Sequence, residues 1–297
     1  MKKILKKVLI LLAVIVAITV MLYIARINNY IHLTQFGATT SRQMMAYGIR
    51  TKNDKIVLID GGTQEDAPQL EKYIIENGGI VHAWFITHLH TDHAGAFEVI
   101  SQNPNIKIER IYMSINSKEW HLENDQSRTE DIENFFEIME NEEILQKIKE
   151  PQVNDKIKID NITAEILGVK NPEITANATN NSSMVLKIKV NYKKILFLGD
   201  TGIESCEKLI KVQGNKLKAD IVQMAHHGQA GATEEFYKIV KPEICLWPTP
   251  EWLWNNNSNG TEDSGPWKTK ETRKWMEDLQ VKQHYIEKDG TCEIKIF

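Results

Sequence analysis

Four side chains able to hold metal ions lie within six residues of one another, in Phe85-Ile-Thr-His88-Leu-His90-Thr-Asp92-His93-Ala-Gly95. Three imidazoles and a carboxylate are donors that zinc and similar divalent ions take readily. His88 and His90 are two apart, so in extended backbone both point the same way and can share one ion. Asp92 and His93 follow where the chain begins to turn and can point at a second ion beside the first. Asp92 also suits the N-cap of a helix starting at His93, since its carboxylate can accept a backbone N–H. A polar strand-to-helix loop is the plain alternative, but three of the nine histidines are packed into this one stretch.

Two further groups recur in the same local context, each following an apolar strand: Asp200, in Gly199-Asp200-Thr201-Gly202, and His226-His227, in Ala225-His226-His227-Gly228. Strand ends on one edge of a sheet converge, and that edge is where α/β sites form. A carboxylate after Gly199 can bridge two ions, and a histidine before Gly228 can complete the second. Alone, Asp200 reads as a turn residue and His227 as a hydrogen-bonded core histidine. Beside the first cluster, ligand count favours both as ligands.

The elements that must position these residues follow from periodicity. Residues 80–86, mostly apolar, read as the buried strand that delivers the first cluster. Short strands at 31–36, 44–50 and 55–60 precede it, the last two joined by the turn Thr51-Lys-Asn-Asp54. The third ends in Asp60-Gly61-Gly62, where the glycines permit a tight turn. Asp66 caps a helix to about Asn77, with Pro68 in its first turn and Gly78-Gly79 as its stop. A helix over 93–102 and a strand at 106–113 follow the cluster. Residues 116–150 are charged, with apolar positions at Ile132, Phe135, Phe136 and Met139; they read as an amphipathic helical region with a solvated face, ended by Pro151. Strands are expected at 156–159 and 162–167. A polar loop over 171–183 then leads to strands at 184–190 and 194–198, paired around Asn191-Tyr192. A helix at 204–212, a strand at 220–224, a helix at 233–239 and a strand at 243–246 come next. The tail reads as a Trp-rich loop, a helix at 270–279 and a hairpin turning at Lys288-Asp289-Gly290.

At the N-terminus, Lys2, Lys3, Lys6 and Lys7 precede an apolar run from Val8 to Ala25, with Arg26 after it. Eighteen helical residues span about 27 Å, close to a bilayer core of roughly 30 Å. The lysines place the N-terminus in the cytoplasm and send the remainder outside. The run is long for a signal peptide and lacks a small-x-small cleavage site. The expected organisation is therefore a cytoplasmic N-terminus and signal-anchor over 1–29 and one domain over 30–297, with secretion as the outcome if the segment is cleaved. Residues 1–26 carry five basic and no acidic residues, so the exported part holds 31 Lys and Arg against 40 Asp and Glu, a net −9. That balance disfavours a generic nucleic-acid binder. Cys206, Cys245 and Cys292 are far apart and form no CxxC pair, indicating neither a cysteine zinc site nor a disulfide framework.

From about residue 30 to 297 the chain resembles the metallo-β-lactamase superfamily. His88-x-His90-x-Asp92-His93 is that family's signature, and Asp60-Gly61-Gly62 and Leu198-Gly199-Asp200 fall where the family has them. The resemblance implies an α/β fold, an αββα sandwich with a dinuclear site at one edge, here preceded by one transmembrane helix. It implies His88 and His90 on one metal, Asp92 and His93 on the other, and Asp200 shared. Ala225-His226-His227-Gly228 is similar to the branch containing the DNA-uptake nuclease domain and the surface phosphorylcholine esterases, which makes His227 the second metal's remaining ligand. Many members carry a histidine in the loop before the Ser183 strand. Here the loop reads Asn177-Ala-Thr-Asn180-Asn181-Ser182-Ser183, so the first metal keeps only His88, His90 and Asp200 and should be the weaker site.

Two divalent ions, zinc first and manganese as the alternative, can sit about 3.5–4 Å apart, share a hydroxide and clamp both oxygens of an in-line displacement. Phosphoester cleavage fits that arrangement. Asp92 and His226 are the candidate catalytic residues, His226 as the group that protonates the leaving oxygen. Asn180, Trp252 and Trp254 are candidate substrate contacts; five of the seven tryptophans lie between 247 and 275. An aromatic face beside Glu251 would suit a quaternary ammonium such as choline, while packing against the sheet or the membrane surface is the plain reading. The expected protein is a membrane-anchored, extracytoplasmic metallohydrolase of small-molecule or cell-envelope phosphoesters, with no obligate protein partner. An extracellular nuclease is the alternative. Hydrolysis of a lactam, lactone or thioester is weakened by the missing histidine.

Overall fold

The structure, a computed structural model, describes residues 2–27, 29–261 and 263–297. Helix α1 (Lys2–Ile27) holds the apolar run, and its stretch Lys3–Met21 is long and apolar enough to cross a membrane, with none of it buried in the protein. Strands β1 (Ile31–Gln35), β2 (Ala46–Arg50) and β3 (Ile56–Asp60) follow, then α2 (Ala67–Glu76), β4 (Ile80–Ile86) and α3 (Thr91–Ile100). Next come β5 (Lys107–Ile108), β6 (Ile111–Met113), α4 (Lys118–Asn124), α5 (Thr129–Ile138), α6 (Glu142–Leu145) and β7 (Ile148–Lys149). The second half runs β8 (Lys156–Ile159), β9 (Ile162–Gly168), α7 (Ala178–Asn181), β10 (Val185–Val190), β11 (Lys193–Phe197), α8 (Ile203–Gln213), β12 (Ile221–Gln223), α9 (Glu234–Val240) and β13 (Ile244–Trp247). It ends with α10 (Glu251–Trp254), α11 (Thr269–Asp278), β14 (Gln283–Ile286) and β15 (Cys292–Ile296).

Among the described residues the strands form two mixed sheets. One is ordered β15-β1-β2-β3-β4-β6-β7, with β5 beside β4; the other is ordered β14-β13-β12-β11-β10-β9-β8. Alternation along the strands gives each sheet an inner face, and Leu33, Tyr47, Phe85, Leu186, Ile195 and Phe197 meet between them in one buried layer. The outer face of the first sheet packs under α2, α3 and α5 through Leu70, Trp84, Phe97 and Phe135. The outer face of the second packs under α8, α9 and α11 through Leu196, Leu209, Phe236 and Met276. This is the αββα sandwich.

β3, β4 and β6 run parallel, as do β11, β12 and β13, and the paired ends of both sets face the same end of the sandwich. Several expectations change. The helix after the first cluster begins at Thr91 with His90 at its N-cap, so Asp92 lies inside the first turn, its carboxylate free to face the site. The stretch expected as one strand over 106–113 divides at Glu109-Arg110 into β5 and β6. The region before Pro151 breaks into three helices and ends in β7. Residues 283–286 and 292–296 are not a hairpin: β14 pairs with β13 in one sheet and β15 with β1 in the other. The three cysteines are free thiols.

Candidate metal centre

β3 and β4 end side by side at Asp60 and Ile86, and the chain after β4 carries His88 and His90 over the sheet edge into α3, which supplies Asp92 and His93. From the other sheet, β11 ends before Gly199-Asp200. Gly199 has φ +56°, and a Cβ there would fall 2.9 Å from both the Ser183 side chain and Thr87 Oγ1. Only glycine lets the backbone pass that close and turn Asp200 inward. β12 leads to His226 and His227, both with positive φ, +51° and +54°. Two successive non-glycine residues in that region are strained; in return both rings turn toward the sheet edge.

Asp92, His93, Asp200 and His227 each offer a ligand atom within 4.8 Å of all the others, and all four are buried. His93 Nε2 lies 3.1 Å from Asp200 Oδ1 and 3.3 Å from His227 Nε2. His227 Nε2 lies 3.3 Å from Asp92 Oδ2 and 3.5 Å from Asp200 Oδ2. Donors at 2.0–2.1 Å from a tetrahedral ion are separated by about 3.3 Å, so these spacings match the edges of such a shell. Beside it, His88 Nε2 and His90 Nδ1 are 3.2 Å apart. Asp92 Oδ1 and Asp200 Oδ1 are buried without a hydrogen bond, a costly state unless a cation answers them.

The far nitrogens fix the tautomers. His93 Nδ1 donates to Asp60 Oδ2 at 2.8 Å, His227 Nδ1 to the Pro248 carbonyl at 2.7 Å and His90 Nε2 to Asp125 Oδ2 at 2.8 Å. Each donation leaves the other nitrogen's lone pair facing the cluster, as a ligand requires. Asp60 is itself held by the backbone N–H and hydroxyl of Thr87. Ser183 contacts His88 Nδ1 at 3.3 Å and accepts from the Asp200 backbone N–H. The residues present therefore fit one closed four-donor position and a more open one at His88 and His90.

Charge coupling is strong. Burial pushes the Asp92 carboxyl up, but the hydrogen bond from His227 and the charges of the surrounding histidines hold it well below the usual range. Asp200 is lowered likewise: burial opposes, and His93, His227 and His226 prevail. Burial disfavours charge on His93 and His227 too, yet the carboxylates around them, Asp200 foremost, raise both. His88 goes the other way: burial, then His93 and His90, lowers it well below its ordinary value. Four of the donors thus form a proton-holding cluster until a metal replaces the protons.

The six sequence-predicted ligands come together, and His226 stands beside them with Nε2 3.8 Å from Asp200 Oδ2 and 3.3 Å from Asn180 Nδ2. A cleft of about 470 Å³ opens over Asp92 and His226, lined also by Arg42, Gln43, Arg128, Trp252 and Trp267. Gln43 Nε2 donates to Asp92 Oδ2 at 3.0 Å, and the two indoles meet edge to face at 4.8 Å. Trp254 is elsewhere: it packs against Trp247 with Arg273 stacked 4.0 Å over its ring, and it lines a separate cavity. Sequence reasoning passed over Asp125, Arg42, Arg128 and Gln43. Asp125 and Arg128 sit in the charged region read as a solvated face, and nothing in their spacing marks them. Asp60 was visible as part of its motif, but its hold on His93 was not.

The family model described as the metallo-beta-lactamase superfamily matches residues 42–244. Over 172 residues the chain is 24% identical to ComE operon protein 3 of Bacillus subtilis (strain 168), covering 55% of this chain and 19% of that protein. It thus spans about a fifth of the length of that relative. Among solved structures, the metallo-beta-lactamase fold protein YhfI from Bacillus subtilis aligns with a TM-score of 0.52 at 14% identity, over 90% of this chain and 100% of the other. CmlA, a diiron beta-hydroxylase from Streptomyces venezuelae, aligns with a TM-score of 0.53 at 10% identity, over 90% of this chain and 54% of its own. At these identities the structural likenesses concern the fold alone.

Proposed function

The chain belongs to the metallo-β-lactamase superfamily and is a metal-dependent hydrolase, and from that premise we propose that it is a membrane-anchored, extracytoplasmic phosphoesterase working with two divalent ions, zinc before manganese. The observation that carries the phosphoester reading is the cleft over the cluster, where Arg42 and Arg128 flank Asp92 and His226. Guanidinium groups are suited to phosphate oxygens. Asp92, His93, Asp200 and His227 would hold one ion, and His88 and His90 with Asp200 the other. When bound, such a pair supplies Lewis acidity, polarising a phosphoryl oxygen and activating water.

The chain's own residues do the rest. Asp60, Asp125 and Pro248 keep three imidazoles in the ligating tautomer. Gln43 fixes the Asp92 carboxylate. His226 is placed to hand a proton to the leaving oxygen from Nε2, the ring atom that faces Asp200 and Asn180. Burial lowers its pKa against the opposing pull of Asp200, so the imidazolium form that donates gives up its proton readily. Trp252 and Trp267 offer an aromatic wall for the organic part of the ester; Trp254 has no part in this reading.

A second reading, a nuclease, draws on the same arginines and indoles, since base stacking on aromatics and charge along a backbone are what single strands need. The test is turnover by the full chain in detergent, loaded with zinc or manganese. The substrates are bis-p-nitrophenyl phosphate, p-nitrophenylphosphorylcholine, single-stranded DNA and nitrocefin. Cleavage of one of the first two is expected; cleavage of DNA alone favours the nuclease, and cleavage of nitrocefin alone overturns the phosphoester assignment.

A further inference from the structure

The end of the sandwich opposite the metal cluster is also the end at which the apolar helix joins. α1 ends at Ile27, and Asn29 is already tied into the domain: Asn161 Nδ2 donates to Asn29 Oδ1 at 2.8 Å and to the Tyr30 carbonyl at 3.0 Å, and the Asn29 and Asn191 amides are paired. Residue 28, between them, lies outside the described residues. Asn161 and Asn191 stand at the tips of the β8–β9 and β10–β11 hairpins. The β2–β3 turn is bound to the same place, Lys52 N–H to Asn161 and Asn53 N–H to Asp160. All these turns lie where β3, β4 and β11 begin, and the metal cluster lies where those strands end. Strand β4 alone, seven residues long, carries the chain roughly 20 Å between the two at about 3.3 Å per residue.

The same end has the composition of a surface that meets a bilayer. Across residues 51–55, 160–161, 191–194, 218–220, 241–243 and 280–282, the part of this end formed by the β2–β3 turn and the second sheet, the sequence has seven lysines against four acids, although the chain after residue 26 is acidic overall. Tyr192, 81% exposed, projects from a hairpin tip, and Phe297, 41% exposed, lies beside Tyr30 with Lys295 Nζ 3.8 Å over the tyrosine ring. Exposed tyrosine and phenylalanine interleaved with lysine suit the headgroup layer of an anionic membrane. One residue between helix and tie leaves too little chain for the domain to turn over, since a residue spans at most about 3.6 Å.

We propose that this strand-entry end rests on an anionic bilayer and that the metal cleft opens away from it, so that the substrate is dissolved or carried on a structure beyond the bilayer surface and is not a headgroup of the host membrane. The proposal rests on the reading of α1 as a membrane span. It is tested with the full chain reconstituted into vesicles of phosphatidylglycerol and phosphatidylcholine containing headgroup-spin-labelled lipid. In a Cys292→Ser background, where the remaining thiols are buried, a fluorophore is placed by Tyr192→Cys at the strand-entry end or by Asn259→Cys on the exposed loop at the cleft end. The expected result is loss of most of the Tyr192→Cys signal to the spin label and little loss from Asn259→Cys. Bis-p-nitrophenyl phosphate should be turned over while the vesicle's own lipids stay intact. Release of the protein by alkaline carbonate would remove the membrane-span reading and this proposal together. Retention with the quenching pattern reversed, or hydrolysis of the host lipid, would overturn the orientation alone.

Discussion

His93 divides its ring between two duties: Nδ1 donates to the buried Asp60, and Nε2 faces Asp92, Asp200 and His227. Asp60→Asn keeps every ligand while weakening the hold of Asp60 on His93 and Thr87, so metal affinity at the closed position should fall about 10- to 100-fold. Competition with a chromophoric chelator would measure it, and unchanged affinity would mean that Asp60 serves the fold only. The raised values of His93 and His227 carry a pH dependence with a definite sign. In the metal-free protein their stabilising protonation is complete below the ordinary histidine value, near pH 6.5. It is lost as pH rises through the higher folded values. Metal has to displace those protons, so its affinity rises over the same range. The gain in Tm on adding zinc should therefore grow as pH rises from about 6.5 toward the higher folded values, and calorimetry in buffers of different ionisation enthalpy should register proton release. A gain that shrinks with pH would contradict the cluster's charge assignment. His226→Ala isolates the proposed proton donor: turnover should drop about 100-fold or more with metal content unchanged, whereas a ring needed only for packing would leave turnover intact.

Elements matter here through where they end and how closely they approach. Helix α3 lies so near the turn after β3 that a Cβ on Gly95 would sit 2.7 Å from the Gln64 backbone nitrogen and 2.9 Å from the Thr63 carbonyl carbon. Glycine to alanine inside a helix ordinarily gains about 1 kcal/mol. Gly95→Ala should instead lose about 1–3 kcal/mol in chemical denaturation, because backbone cannot yield as a side chain can. It should also lower metal content, since the Gly61 N–H bonds the His93 carbonyl. A stabilised variant would refute the close approach. Periodicity and turn residues made the ligand-bearing strands legible, because β4, β11 and β12 are buried apolar runs that stop at polar clusters. They did not reveal the tertiary route of the C-terminus. The Lys288-Asp289-Gly290 turn is real, with Gly290 at φ +92°. A 3-10 turn at Glu287–Asp289, held by the bond from Lys288 N–H to the Thr249 carbonyl, nevertheless carries the chain from one sheet to the other. The tryptophans divide similarly: Trp252 and Trp254 are two apart and look equivalent in sequence. The short helix α10 sends Trp252 to the cleft, with its Nε1 on the Ser41 carbonyl, and Trp254 into a packed stack with Trp247.

Taken as a whole, the sandwich has two independent sources of cohesion. The inner faces of the sheets are closed by an apolar layer in which Leu33, Tyr47, Phe85, Leu186 and Phe197 are wholly buried. The metal ligands, by contrast, come from both sheets at one edge: Asp92 and His93 follow β4, while Asp200 and His227 follow β11 and β12. Any ion held there cross-links the layers, but only at that edge. Removing metal with a chelator should therefore leave a folded, cooperatively melting protein whose stability falls by the binding term alone, about 2.7 kcal/mol when free metal had stood at 100 times its Kd. Hydrogen exchange should accelerate at residues 87–93, 199–202 and 225–229, where the ion no longer ties the strand ends and the strained His226-His227 backbone together, and should stay slow in β2, β3, β9 and β10. Uniform acceleration through both sheets would mean that metal holds the sandwich together, and the cleft would then be a structural site with catalysis secondary to it.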